Sequence, residues 1–139
     1  MTFDCVIIFL GDVMEPKDIL KKYYHFAVIG VSQDKDKYGY KIFKRLRDRN
    51  YDVYGISPIY DSVDGISLYS SLEDIDGPID IVIFVVNKKH AYSYIDEMTS
   101  LGIHYAWMQP QTYDDELLDY MKNVGITPIL ACILVETSL

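Results

Sequence analysis

Phe26-Ala27-Val28-Ile29-Gly30-Val31-Ser32 decides the fold: four apolar residues run unbroken into a glycine and then a small hydroxyl. A continuous apolar run suits a strand covered on both faces, whereas a half-solvated strand alternates apolar with polar residues. Four more such runs follow: Val53-Tyr54-Gly55-Ile56, Ile81-Val82-Ile83-Phe84-Val85-Val86, Tyr105-Ala106-Trp107-Met108 and Pro128-Ile129-Leu130-Ala131. Their starts lie about 23 to 28 residues apart, which leaves room for a crossover helix in most gaps.

The gaps carry helical spacing. Ile42, Phe43 and Leu46 form one stripe, with Lys41, Lys44, Arg45, Arg47 and Arg49 mostly off it, and Asn50 stands where a left-handed stop is wanted. Ala91, Ile95, Met98 and Leu101 form a second stripe, closed by Gly102. Leu117, Leu118, Met121 and Val124 form a third, opened by Thr112 with acids at 114–116 and closed by Gly125. The piece from Asp61 to Pro78 reads as loop, with a short strand at Ser67-Leu68-Tyr69 and one helical turn. Strand and helix alternating in this way predict an α/β domain with a doubly wound, parallel, five-stranded sheet between two helical layers, a three-layer αβα arrangement.

At 139 residues the chain is one domain's worth. Half of it is hydrophobic and 14% aromatic, enough for a sizeable core. The 21 acidic against 13 basic residues give a formal charge of −8, which argues against nucleic acid and anionic membrane surfaces. Two cysteines, Cys5 and Cys132, indicate no disulfide framework and point to a reducing cytoplasm. The run Cys5-Val6-Ile7-Ile8-Phe9-Leu10 is too short to span a bilayer and follows an acid rather than a basic region. Residues 1–15 therefore read as an extension, either an extra strand on a sheet edge or a stretch upstream of a start at Met14, and residues 16–139 as the domain.

In a doubly wound sheet a ligand sits outside the carboxyl ends of the strands, where the strand order reverses. The residues there are Gly30-Val31-Ser32, Ser57-Pro58, Val86-Asn87-Lys88, Gln109-Pro110 and Cys132. Gly30 permits a tight turn, Ser32 lets a phosphate approach the backbone, and the N-terminus of the next helix offers unpaired N–H donors. The pattern is not GxGxxG, since only Gly30 and Gly39 are present, with a charged segment between them. Lys35, Lys37 and Lys41 crowd that helix start, where a bound anion would relieve their conflict with the helix dipole. Asp34 and Asp36 neutralising the loop is the plainer account. A site for NAD usually carries Asp or Glu at the tip of the second strand; here the tip is Ile56-Ser57-Pro58. A hydroxyl in that place is compatible with a ribose bearing an extra phosphate.

From about Asp18 to Glu136 the sequence resembles the small stand-alone CoA-binding domain proteins, related to the CoA-binding domain of the succinyl-CoA synthetase α subunit. The resemblance rests on Ala27-Val28-Ile29-Gly30-Val31-Ser32 with Tyr38-Gly39-Tyr40, Asn50-Tyr51-Asp52-Val53 into Ser57-Pro58-Ile59-Tyr60, and Leu68-Tyr69-Ser70-Ser71-Leu72-Glu73-Asp74-Ile75. Asp80-Ile81-Val82, Ala106-Trp107-Met108-Gln109-Pro110 and Ala131-Cys132-Ile133-Leu134-Val135-Glu136 continue it. It implies a Rossmann-like fold that binds CoA or an acyl-CoA. The Gly30 loop would lie near the pyrophosphate, Ser57-Pro58 near the adenosine, and the third and fourth strand ends over the ligand. Three departures stand out: Ile59 replaces a lysine frequent in the family, Tyr38-Gly39 a Pro-Ser pair common before the helix, and Gln111 a glycine.

Catalytic chemistry finds little support. His25 and His104 fall at the amino ends of strands, and only His90 is on the ligand side. Cys132 reads first as a small buried hydrophobe, second as a thiol able to pair with CoA. Tyr38, Tyr40 and Tyr60 flank the expected site and suit either adenine stacking or packing, while Trp107 belongs to the core. No spacing matches a metal-ligand set. The expected function is non-catalytic binding of a small nucleotide cofactor. An NAD(P)-responsive module and a ligand-free interaction domain are the alternatives, and a homo-oligomer or protein partner is left open.

Overall fold

The computed structural model describes residues 7–9 and 12–138. Cys5, Val6 and Leu10 of the amino-terminal apolar run lie outside them. The first described elements are β1 (Ile7–Phe9) and β2 (Asp12–Met14), which pair antiparallel with each other. Helix α1 (Pro16–Lys22) follows, with proline in its first turn, where the missing N–H costs nothing. Then come β3 (His25–Ile29), α2 (Tyr38–Asp48) and β4 (Asp52–Ile56). A small hairpin of β5 (Ser62–Val63) and β6 (Ile66–Ser67) and a 3₁₀ turn at Leu72–Asp74 lead to β7 (Ile81–Phe84). The remainder is α3 (Lys88–Leu101), β8 (Tyr105–Met108), α4 (Asp115–Asn123), β9 (Thr127–Leu130) and α5 (Ile133–Glu136).

The five expected strands form one parallel sheet in the order β4-β3-β7-β8-β9. Alternate residues of each strand supply two separate cores. Phe26, Val28, Ile81, Ile83 and Trp107 face α1, α2 and α5. Ala27, Ile29, Val82, Phe84, Ala106 and Met108 face α3 and α4. Burying each of the larger aliphatic side chains is worth roughly 1.5–3 kcal/mol, which is why these runs are apolar on both faces. Trp107 is fully buried, and its indole N–H donates to the Ala131 carbonyl at 3.0 Å, fastening β8 to the end of β9.

Helix stops fall where the sequence puts them: Asn50, Gly102 and Gly125 all take positive φ. One start differs. Asp114, not Thr112, caps α4, accepting the Leu117 N–H at 2.9 Å, because the helix begins at Asp115; the Thr112 hydroxyl donates to the Gln109 carbonyl at 2.7 Å. The loop between β4 and β7 also differs, since the expected strand at 67–69 is a hairpin ending at Ser67 plus a single bridge from Tyr69 to Ile56. Helices α1 and α5, seven and four residues long, are too short to show helical periodicity. Arg45 holds α5 down by donating to the Leu134 and Thr137 carbonyls.

Candidate functional site

The strand order reverses between β3 and β7, because α2 carries the chain outward to β4 and the next crossover returns it to the other side of β3. At this point, at the carboxyl ends of the strands, lies a cavity of about 430 Å³. Gly30 and Ser32 line it from β3, Val85, Val86 and Asn87 from β7, Gln109 to Thr112 from β8, Cys132 from β9, and Lys37, Tyr38 and Gly39 from the start of α2.

Two glycines let these walls meet. Gly30 has φ +106°, and a Cβ there would stand 3.0 Å from Val86 Cγ1. Gly39 is needed for close approach instead: a Cβ on it would fall 1.9 Å from the Gly30 carbonyl oxygen. The first turn of α2 is thus seated directly on the end of β3. Its capping position is Lys37, whose side chain makes no capping bond. The amides of Tyr38, Gly39 and Tyr40 have no acceptor within the helix and carry its positive end.

The loop before α2 is ordered by its own side chains. Ser32 Oγ accepts the Asp34 N–H and Asp34 Oδ1 accepts the Asp36 N–H, each at 3.0 Å. The three lysines part company. Lys35 lies 6.0 Å over the Tyr40 ring and Lys41 5.9 Å over the Tyr38 ring, while Lys37 lines the cavity without an ion pair to any described residue.

Of the sixteen residues singled out in the sequence, the cavity gathers ten: Gly30, Ser32, Lys37, Tyr38, Gly39, Val86, Asn87, Gln109, Pro110 and Cys132. The other six stand apart from it. Val31 is buried in the core, and its amide, like that of Gly30, is taken by the Ile56 carbonyl, at 3.1 and 2.9 Å. Tyr40 is buried, and its hydroxyl donates to Asp64 at 2.6 Å; that bond, first among the causes, raises its pKa. Lys88 reaches Asp114 at 3.2 Å. Ser57 Oγ accepts the amides of Ile59 and Tyr60 at 3.1 and 3.0 Å, so Ser57, Pro58 and Tyr60 form a self-braced turn at the tip of β4, with no carboxylate at Ser57-Pro58.

Val85, Gln111 and Thr112 line the cavity without having been singled out. Gln111 was detectable: it replaces a glycine frequent in the family, and its φ is +71°, the conformation such a glycine serves. Among the described residues no group of three or more His, Cys, Asp or Glu could hold a metal ion, and no helix is long and apolar enough to cross a membrane. His25 lies at the far edge of the sheet, hydrogen-bonded to Asp52 at 2.8 Å.

Comparison with known proteins agrees with this fold. A solved hypothetical protein from Pyrococcus horikoshii OT3 superimposes with a TM-score of 0.81 at 28% identity, over 88% of this chain and 87% of that one. The uncharacterized protein YneT of Bacillus subtilis is 30% identical over 116 residues, 84% of this chain and 86% of its own. An ADP-forming acetate–CoA ligase of Methanocaldococcus jannaschii is 36% identical over 77 residues, 55% of this chain but 11% of that much longer enzyme. Residues 24–138 match the family described as CoA binding domain. This chain belongs to that CoA-binding domain family.

Proposed function

We propose that this chain is a cytoplasmic, non-catalytic binder of CoA or an acyl-CoA, acting as carrier, sensor or subunit. The observation that carries the reading is the cavity at the reversal point of the sheet, with Tyr38 and Gly39, whose amides have no acceptor within the helix, and Lys37, without an ion pair to any described residue, on one wall. A diphosphate there satisfies both the donors and the cation. The adenosine lies toward Ser57, Pro58 and Tyr60, where no carboxylate opposes a ribose phosphate, and the pantetheine arm runs over β7 and β8 toward β9. A binding role without catalysis fits the histidines, since His25 is engaged with Asp52 on the opposite edge and neither His90 nor His104 is among the residues that line the cavity.

Thermal unfolding and calorimetry with CoA, acetyl-CoA, NADH and NADPH test this. A ligand at a hundred times its Kd stabilises by about 2.7 kcal/mol, a rise of roughly 10 °C for a domain of this size. The expected result is such a rise with the CoA compounds only. Stabilisation by NADH or NADPH instead would make the domain a dinucleotide-responsive module, and stabilisation by none would make it an interaction domain.

A further inference from the structure

One wall of the cavity is built by Gln109, just after β8, and Cys132, which precedes α5. Gln109 is only 4% exposed. Its Oε1 accepts the Ile133 N–H at 2.7 Å, which fixes which way the carboxamide is turned, since a flip would set its NH₂ against a backbone donor. Nε2 is thereby committed to the other side, where its acceptor is the Cys132 sulfur at 3.4 Å. A thiol is a weak acceptor and meets one of two N–H bonds. A buried amide so placed gains from any stronger acceptor that enters the cavity.

The dimensions say which part of a ligand arrives there. From β3 to β8, whose end carries Gln109, is two strand spacings of about 4.8 Å, or roughly 10 Å, and the Cys132 sulfur lies 3.4 Å from Gln109 Nε2. The arm of CoA from its phosphate ester oxygen to its sulfur is roughly a dozen bonds, about 14 Å at the rise of an extended chain. If the diphosphate sits at the first turn of α2, as the function proposed above requires, the sulfur reaches Gln109 and Cys132.

Resting on that reading, we infer that Gln109 is a specificity-determining residue: Nε2–H donates to the carbonyl oxygen of a thioester, so the site takes acyl-CoA in preference to free CoA. A free thiol offers that N–H no better acceptor than Cys132 already does. The thioester carbonyl does, at one atom's distance from the sulfur.

Calorimetric affinities for acetyl-CoA and CoA, on the wild type and on Gln109→Glu, test the inference. The wild type is expected to favour acetyl-CoA about fivefold, the worth of one hydrogen bond. In Gln109→Glu the ratio falls to one or reverses, because the carboxylate keeps an acceptor for Ile133 but turns an acceptor toward the thioester oxygen. A wild-type preference below about twofold overturns the inference even if the variant folds poorly. So does an unchanged ratio in a folded variant. Cys132 supplies an independent ruler. Its thiolate attacks one sulfur of CoA disulfide, the S–S bond breaks, a Cys132–CoA mixed disulfide forms and one CoA thiol leaves. Peptide mapping should find that adduct, suppressed by excess acetyl-CoA; its absence from a protein that binds CoA overturns the placement of the sulfur. If the wild type binds neither compound, it is the underlying function that fails.

Discussion

Gly39→Ala sets two effects of opposite sign against each other. In an isolated helix alanine is better than glycine by about 1 kcal/mol, so propensity alone predicts a more stable protein. The new Cβ would stand 1.9 Å from the Gly30 carbonyl oxygen, 3.0 Å from its carbon and 3.3 Å from the Ser32 nitrogen. Even a weak C–H···O contact holds carbon and oxygen about 3.3 Å apart, so α2 must lift by about 1.4 Å against backbone, which yields less than a side chain. Overpacking of this kind costs about 3 kcal/mol at the upper end of its usual range, leaving a net loss of about 2 kcal/mol after the helix gain. That moves the urea midpoint down by about 1 M, followed by circular dichroism. The lifted turn also carries the amides of Tyr38 and Gly39 away from the cavity, so calorimetry should record CoA affinity lower by tenfold or more, about 1.4 kcal/mol. Gly102→Ala is the control: nothing lies within 4 Å of its Cβ and its φ is +73°, so it costs about 1 kcal/mol in backbone strain with CoA affinity unchanged. A Gly39→Ala protein as stable as the wild type and equally tight for CoA would refute the close seating of α2 on β3.

Lys37→Glu should lower CoA affinity about tenfold at low ionic strength, with the difference shrinking as salt rises, as measured by calorimetric titration. Trp107→Phe leaves the Ala131 carbonyl unpaired and a void beside it, and is expected to cost about 2–4 kcal/mol in urea unfolding read by far-ultraviolet circular dichroism. The Leu117 N–H, then Lys88, hold the Asp114 carboxyl below its ordinary value of 3.8. Its stabilisation is therefore complete above that value and is lost as the pH falls through the lower folded one. Asp114→Asn still caps but does not titrate, so its urea midpoints should fall less steeply than the wild type's as the pH drops below the ordinary carboxylate value.

The sheet was legible because its strands are buried on both faces, so Phe26 to Ile29 and Ile81 to Phe84 are apolar without interruption. The edges were harder. Val85 and Val86 continue the apolar run but lie past the last paired residue of β7, and there they line the cavity. Apolar character reports burial, and a cavity wall is as apolar as a strand. Ten of the sixteen site residues converge because the rule that ligands sit at strand carboxyl ends selects a region of space. The rule does not say where each donor is spent. The amide of Val31 goes to Ile56, the hydroxyl of Tyr40 to Asp64 and the ammonium of Lys88 to Asp114, and each partner is remote in sequence. Asp114 rather than Thr112 caps α4 because the helix begins at Asp115, a boundary that the run Thr112 to Glu116, with several residues suited to capping, does not fix.

The Ile56 carbonyl, by accepting two consecutive amides from the glycine turn, does inside the protein what an anion does elsewhere: it occupies the donors that usually greet a phosphate. Anyone redesigning this domain for another guest therefore gains nothing by varying position 31. Selectivity is to be sought downstream, at Tyr38 and Gly39 in the first turn of α2, where the backbone still has hydrogens to give.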